Sequence, residues 1–258
     1  TDVLAASGGA GNDIFNVQAD SVATLSGGAD NDTFAFSGGT LAGGVDGGAD
    51  ADLLNYAGTA GAVAVNLNGS TATCIGTTFA NVEGMLGNGA NSQLLGLNAA
   101  NTWTIGADLS DSNVTGFAFD NVATLTGGTG VDTFNVVANN VDVLSADGGA
   151  GNDIFNVQAD SAVALLGGSD NDTFRVQEGF SSNSINGGAG LDVLAALGAA
   201  GTANTWSITG VNEGTLDQGA GPVQAFAGLE SLQGDGSVDT FAFNGGSLTG
   251  GISGGAGI

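Results

Sequence analysis

The chain is nearly devoid of positive charge. Of its 258 residues one is Arg and none is Lys or His, against 26 Asp and Glu, giving a formal net charge of −25. Nucleic-acid binding needs Lys and Arg to displace counterions from phosphates, so Arg175 alone excludes it. Attraction to an anionic membrane surface fails for the same reason, and no apolar run approaches the ~20 residues of a membrane-spanning helix. Without His there is no Ser-His-Asp or Cys-His chemistry and no His-ligated zinc. One cysteine, Cys74, excludes an internal disulfide and any cysteine-rich metal cluster, and reads as a small buried apolar group. A single proline, Pro222, and 13 Phe within 42% apolar residues exclude a disordered acidic chain.

What is abundant is glycine, with 49 residues, and repetition. The segment Gly8–Ser21, GGAGNDIFNVQADS, recurs unchanged at Gly148–Ser161, an offset of 140 residues. Within it lies a shorter period. Gly-Gly pairs start at 8, 27 and 47, again at 127, 148, 167 and 187, and finally at 254, with altered copies at Gly87 and Gly234. Each repeat reads as a Gly-Gly-x-x-x-Asp turn, a short alternating strand such as IFNVQ or TFRVQ, a second turn and a second strand such as VATLSG. Alternation at period two with β-branched and aromatic residues predicts strands, and no 3.6-residue stripe predicts a helix.

Aligning the repeats predicts two apolar columns. Two residues after the turn Asp stand Phe15, Phe34, Leu54, Leu94, Phe134, Phe155, Phe174, Leu194 and Phe241. Two before the Gly-Gly stand Leu25, Val45, Met85, Leu125, Leu165, Ile185, Leu232 and Ile252. One repeat cannot bury its apolar side, whereas a stack buries a continuous one. The expected fold is all-β: a parallel β-solenoid of about 13 coils of about 20 residues around a two-sheet core. Residues 1–258 are expected to form a single solenoid, an uncapped section of a longer array, with superunits at approximately 1–100, 101–203 and 204–258. Asn101-Thr-Trp103 and Asn204-Thr-Trp206 open two superunits, and both Trp residues are expected to pack against a coil. Residues 210–224 are expected to loop outward. The opening Thr1–Ala6 matches Leu191–Ala196, and the closing GGAGI (254–258) stops before the Asp of its own motif. Open strand ends of this kind template further pairing, so copies are expected to stack head to tail.

The turns GGAGNDIFN (8–16), GGTGVDTFN (127–135), GGAGNDIFN (148–156) and GGAGLDVLA (187–195) resemble the G-G-x-G-x-D-x-U-x nonapeptide of the calcium-binding repeats-in-toxin family. GGADNDTFA (27–35), GGADADLLN (47–55) and GGSDNDTFR (167–175) carry Asp for the fourth Gly. The resemblance implies Ca²⁺ on one edge, held by Asp13, Asp32, Asp52, Asp132, Asp153, Asp172, Asp192 and Asp239, with backbone carbonyls. The column is interrupted where Ser92 replaces Asp. Here one nonapeptide occurs per repeat instead of two back to back, so one edge at most is equipped. Carboxylates stacked ~4.8 Å apart repel by about 0.9 kcal/mol per pair in bulk water, and Asp30, Asp50 and Asp170 are expected to crowd the same column. A hard cation suits such oxygens. The alternative is that Asp and Asn serve their own turns by Asx-type hydrogen bonds.

The chain also resembles the Gly/Asp-rich repeat regions of large bacterial secreted and surface proteins of adhesin-like or haemagglutinin-like kind. That implies an extracellular or cell-surface structural element (stalk, matrix, sheath or filament) and no enzyme, since the same Asp recurs in every repeat. The other reading is an adhesion module binding a glycan or host surface, with residues 210–224 and Trp206 as its contact.

Overall fold

The computed structural model describes residues 5–198, 202–219 and 221–255. Thr1–Leu4 and Ala256–Ile258, on which the matching of the two chain ends depends, lie outside these, as does Ala220 of the expected loop. The chain is all-β: among the described residues 53% are strand and none is helix. It divides into two compact units, one of residues 1–97 and 108–125, the other of 98–107 and 126–258.

In the first unit two sets of parallel strands run side by side. Ile14–Val17, Thr33–Phe36, Leu53–Asn55 and the start of Gly84–Leu95 pair in that order, stacking Phe15 on Phe34, Phe34 on Leu54 and Leu54 on Met85. Ala5–Ala10, Thr24–Ala29, Val45–Gly48 and Phe79–Ala80 form the other set, with Leu25 on Val45 and Val45 on Phe79. The second unit repeats the plan. Trp103, Phe134, Phe155, Phe174, Leu194, Leu232 and Ile252 follow one another through successive parallel pairs. Ala146, Leu165, Ile185 and Phe226 form its opposite column. We call each step along such a column a level.

The columns are the core. Trp103, Phe134, Phe155 and Phe174 are fully buried. Their rings lie face to face at 5.3, 4.7 and 4.7 Å with interplanar angles of 5–9°. That distance is the spacing of paired strands, so the backbone ladder itself sets the ring stack. Each offset-stacked pair contributes roughly 0.5–1.5 kcal/mol beyond its buried area.

Three findings amend the sequence reading. First, the sheets are mixed. Antiparallel pairs join Val63–Asn66 to Thr71–Ala72, Asn113–Val114 to Phe117–Ala118, and Asn204–Gly210 through Glu213–Asp217 to Gln224–Ala227. The region expected as a loop at 210–224 is therefore largely a hairpin. Second, Met85, Leu232 and Ile252 belong to the column of the turn-Asp strands, not the opposite one, while Leu94 pairs with Val65. The cause is a shorter corner: the two columns are nine residues apart in an ordinary repeat (Val45 to Leu54) and six apart at Phe79 to Met85 and Phe226 to Leu232. Asn81 (φ 47°) and Gly228 (φ 62°) turn these tight corners in the left-handed region. Third, Cys74 is half-buried at a corner with φ 67° and is not a core residue.

Candidate functional site: the aspartate column

Asp32, Asp52, Asp132, Asp153, Asp172 and Asp192 are buried, with 0–2% of their surface exposed. Each sits at the sixth position of its turn, immediately before a strand whose first inward residue is a core Phe or Leu. The backbone therefore delivers the carboxyl to the inner side of the corner. The first Gly of each pair makes the room: a Cβ at Gly127 would collide with Asp132 Oδ2 and with the Gly148 carbonyl, and one at Gly167 with Asp172 Oδ2 and the Gly187 carbonyl.

Their hydrogen bonds run between levels, not within a turn. The backbone N–H of Asp13 donates to Asp32 Oδ1 at 2.8 Å, that of Asp32 to Asp52 Oδ1 at 2.7 Å, and that of Asp52 to Glu83 Oε2 at 2.9 Å. In the second unit the N–H groups of Asn101, Asp132, Asp153, Asp172 and Asp192 donate in turn to Asp132, Asp153, Asp172, Asp192 and Glu230, at 2.6–2.8 Å. The partners are 19 to 21 residues apart within the repeats. Bonds to a charged or strongly polar carboxyl are among the stronger hydrogen bonds, so the column stitches neighbouring levels together. The expectation that these side chains serve their own turns gives way to service of the next turn.

Sequence reasoning missed the terminal members of the column. Asn101 opens the run and Glu230 closes it, while Glu83 closes the run of the first unit. The signal was present in the recurrent Asn-Thr-Trp and in the Glu of FANVEG and FAGLES, where one extra methylene lets the carboxylate reach across the shorter corner. Asn204 stands before Asp239 in the same way, donating to its Oδ1 from Nδ2 at 2.9 Å. At Ser92 the expected interruption is present: its Oγ accepts from the Asn88 N–H at 2.7 Å instead of reaching another level.

A second acidic column lies outside. Asp30, Asp50 and Asp170 are exposed, with φ of 72–77°. Asp30 and Asp170 accept from the N–H groups of Gly11 and Gly151 at 2.9 and 3.2 Å. Asn12, Asn31, Asn152 and Asn171 form a third, accepting N–H groups one level on at 2.8–3.1 Å.

The electrostatics of the inner column follow from burial in the company of like charge. Burial raises Asp153 and Asp172 to about 7, aided by the neighbouring carboxylates of the column and by Asp170, and opposed by the N–H bond each accepts. Burial likewise pushes Asp52, Asp132 and Asp192 upward. Calcium asks for six to eight oxygens. At Asp132, Asp153, Asp172 and Asp192 Oδ1 accepts an N–H and Oδ2 is buried, and both Oδ2 and a Gly carbonyl border the gap left by the first Gly of the turn. Among the described residues no cluster of three or more acidic, His or Cys side chains is set around a common point.

A cleft of about 450 Å³ lies in the first unit. Asp32, Asp52, Glu83, Leu109 and Ala118 are among the residues lining it. Trp206, the expected adhesive contact, is fully buried against Phe241 and Phe226. No protein-family model matches the chain and no curated protein matches it. The functional reading therefore rests on this geometry.

Proposed function

We propose that this chain is a non-enzymatic structural element: a parallel β-solenoid of about 13 coils of about 20 residues on a two-sheet core. It belongs to an extracellular or cell-surface bacterial protein and serves there as a stalk, matrix, sheath or filament element. The observation that carries this reading is the coincidence of three inter-level ladders, of Phe, Asp and Asn, on one set of repeats. Every chemically distinctive residue of the turn is spent on joining levels. A reacting pair would instead be unique to one level.

Copies associate head to tail. Ile14 on the first described strand of its set is 69% exposed and Phe243 on a late strand 52%, and both strands carry edges that pair on one side. Negative-stain microscopy and sedimentation of the purified chain test this. Filaments, or a mass rising with concentration, are expected; a monomer at every concentration overturns it. The cleft beside Asp52 and Glu83 supports a second reading, an adhesion module for a glycan. Saturable binding on a glycan array, abolished by filling the cleft with Ala118→Trp, is its test.

A further inference from the structure

The sequence holds four Asn-Gly pairs, at Asn68, Asn88, Asn186 and Asn244. With no Cβ in the way, the glycine nitrogen of such a pair can reach the side-chain carbonyl carbon of the asparagine. The N–Cγ bond that forms expels the amide nitrogen as ammonia and closes a cyclic succinimide. Water then opens the ring at either carbonyl, leaving aspartate or, with the backbone rerouted through the side chain, isoaspartate. The net change is amide and water to carboxylate and ammonium, with no oxidant or reductant consumed. What decides the rate is whether the backbone is free to turn. Two of the pairs lie in strands. Asn186 is within Ser184–Ala189 and is paired on both sides, with Leu166 and Ala227, and a Cβ at Gly187 would strike the Gly228 carbonyl. Asn88 is within Gly84–Leu95, and its side chain is clamped as well. Its Nδ2 donates to the Thr59 and Gly61 carbonyls at 2.9 and 2.8 Å, and its Oδ1 accepts from Ser92 Oγ at 2.6 Å.

The other two pairs lie in turns. Asn244 and Gly245 are exposed, just beyond the strand Asp239–Phe243. Gly245 stands at φ 89° with nothing within 4 Å of where a Cβ would be, and its N–H has no acceptor among the described residues. The Asn244 amide donates to Ser207 Oγ at 2.8 Å, at the surface. Asn68 and Gly69 are exposed at the tip of the hairpin that joins Val63–Asn66 to Thr71–Ala72, where the Gly69 N–H reaches Asn66 Oδ1 only at 3.4 Å, a long contact. We infer that Asn244 and Asn68 are sites of self-modification, converting to aspartate and isoaspartate in the folded chain, while the strands seal Asn88 and Asn186. Exposure of the amide is not what separates them, since Asn186 is exposed too. Each event adds one negative charge to a chain that already carries −25. At Asn244 it also alters the fold. The N–H groups of Asn244 and Ser247 bind the Ile208 and Gly210 carbonyls at 2.8 and 2.9 Å, and isoaspartate inserts a methylene into the backbone between them. The corner then no longer matches the spacing of the carbonyls it holds.

Peptide mapping by mass spectrometry, with isoaspartate separated from aspartate, tests the inference. The full chain is held at mildly alkaline pH, where the attacking nitrogen loses its proton more readily, once folded and once in urea. In urea the four asparagines are expected to convert at comparable rates, because each is followed by glycine and none is held. In the folded chain Asn244 and Asn68 are expected to stay within about tenfold of their rates in urea, and Asn88 and Asn186 to fall behind by on the order of a hundredfold, since a strand must open locally before its backbone can turn. Asn88 or Asn186 keeping pace with the turn pairs in the folded chain overturns the inference. So does a folded chain in which Asn244 and Asn68 stay intact over the time in which the urea sample converts.

Discussion

Asp170 and Asp172 stand two residues apart in one turn, GGSDND, and live in different worlds. Asp170 turns the chain at φ 77°, faces water and lends one oxygen to the Gly151 N–H. Asp172 is buried beneath the same corner, between the Asp153 N–H and the Gly187 carbonyl. A tally of acidic residues counts the two alike. Their chemistry is set by which side of a six-residue corner the backbone turns them to: the outer one is exposed to water, and burial drives the inner one toward neutrality.

The sharpest way to break this contrast is to delete one residue from each column. Asp153→Ala leaves the Asp132 N–H buried without its acceptor and should cost about 1–3 kcal/mol in urea denaturation. Asp170→Gly, its match at a position whose φ of 77° would strain Ala, should cost clearly less. Equal losses would mean that burial does not divide the columns. Next in size is pH. Because Asp153 and Asp172 are raised to about 7 from 3.8, their contribution is fully present below 3.8 and is lost as pH climbs through about 7. The melting temperature of the wild type should therefore fall between about pH 5 and about pH 8, opposite to a protein held by ionised carboxylates. A smaller effect is expected from the Asn column: Asn171→Ala removes the acceptor of the exposed Leu191 N–H, which water replaces, for about 0.5 kcal/mol or less. A last test concerns metal. A melting curve raised by millimolar Ca²⁺ and lowered by EDTA assigns the inner column to the ion that the motif implies, and a curve unmoved by either leaves the column to hydrogen bonding alone.

Much of the strand pairing was legible because the period is written in side chains that must meet. Phe134, Phe155 and Phe174 recur at the repeat length and do stack. The direction of the turn carboxyl was not legible. Spacing places Asp at the corner, but which side it faces depends on backbone angles and on the missing Cβ of a glycine five residues earlier. The exchange of columns at Met85 and Leu232 was hidden for a similar reason. The apolar spacing to the next Gly is preserved while the corner before it is three residues shorter. Hairpins such as Val63–Asn66 with Thr71–Ala72 alternate like every other strand; the reversal is decided by Asn66, whose Oδ1 accepts the Asn68 N–H, and by Ser70 at φ 48°.

The run that opens on Asn101 and closes on Glu230 has a consequence for how such a chain acquires its length. Each inner rung binds one level to the next through the same pair of atoms, so the interior members are interchangeable, while the amide and the longer acid stand only at its ends. A whole level could be copied or excised and the remaining rungs would still find partners. The fold fixes its cross-section and leaves its length to be set by duplication, with Asn and Glu as the punctuation that tells a run where to begin and stop.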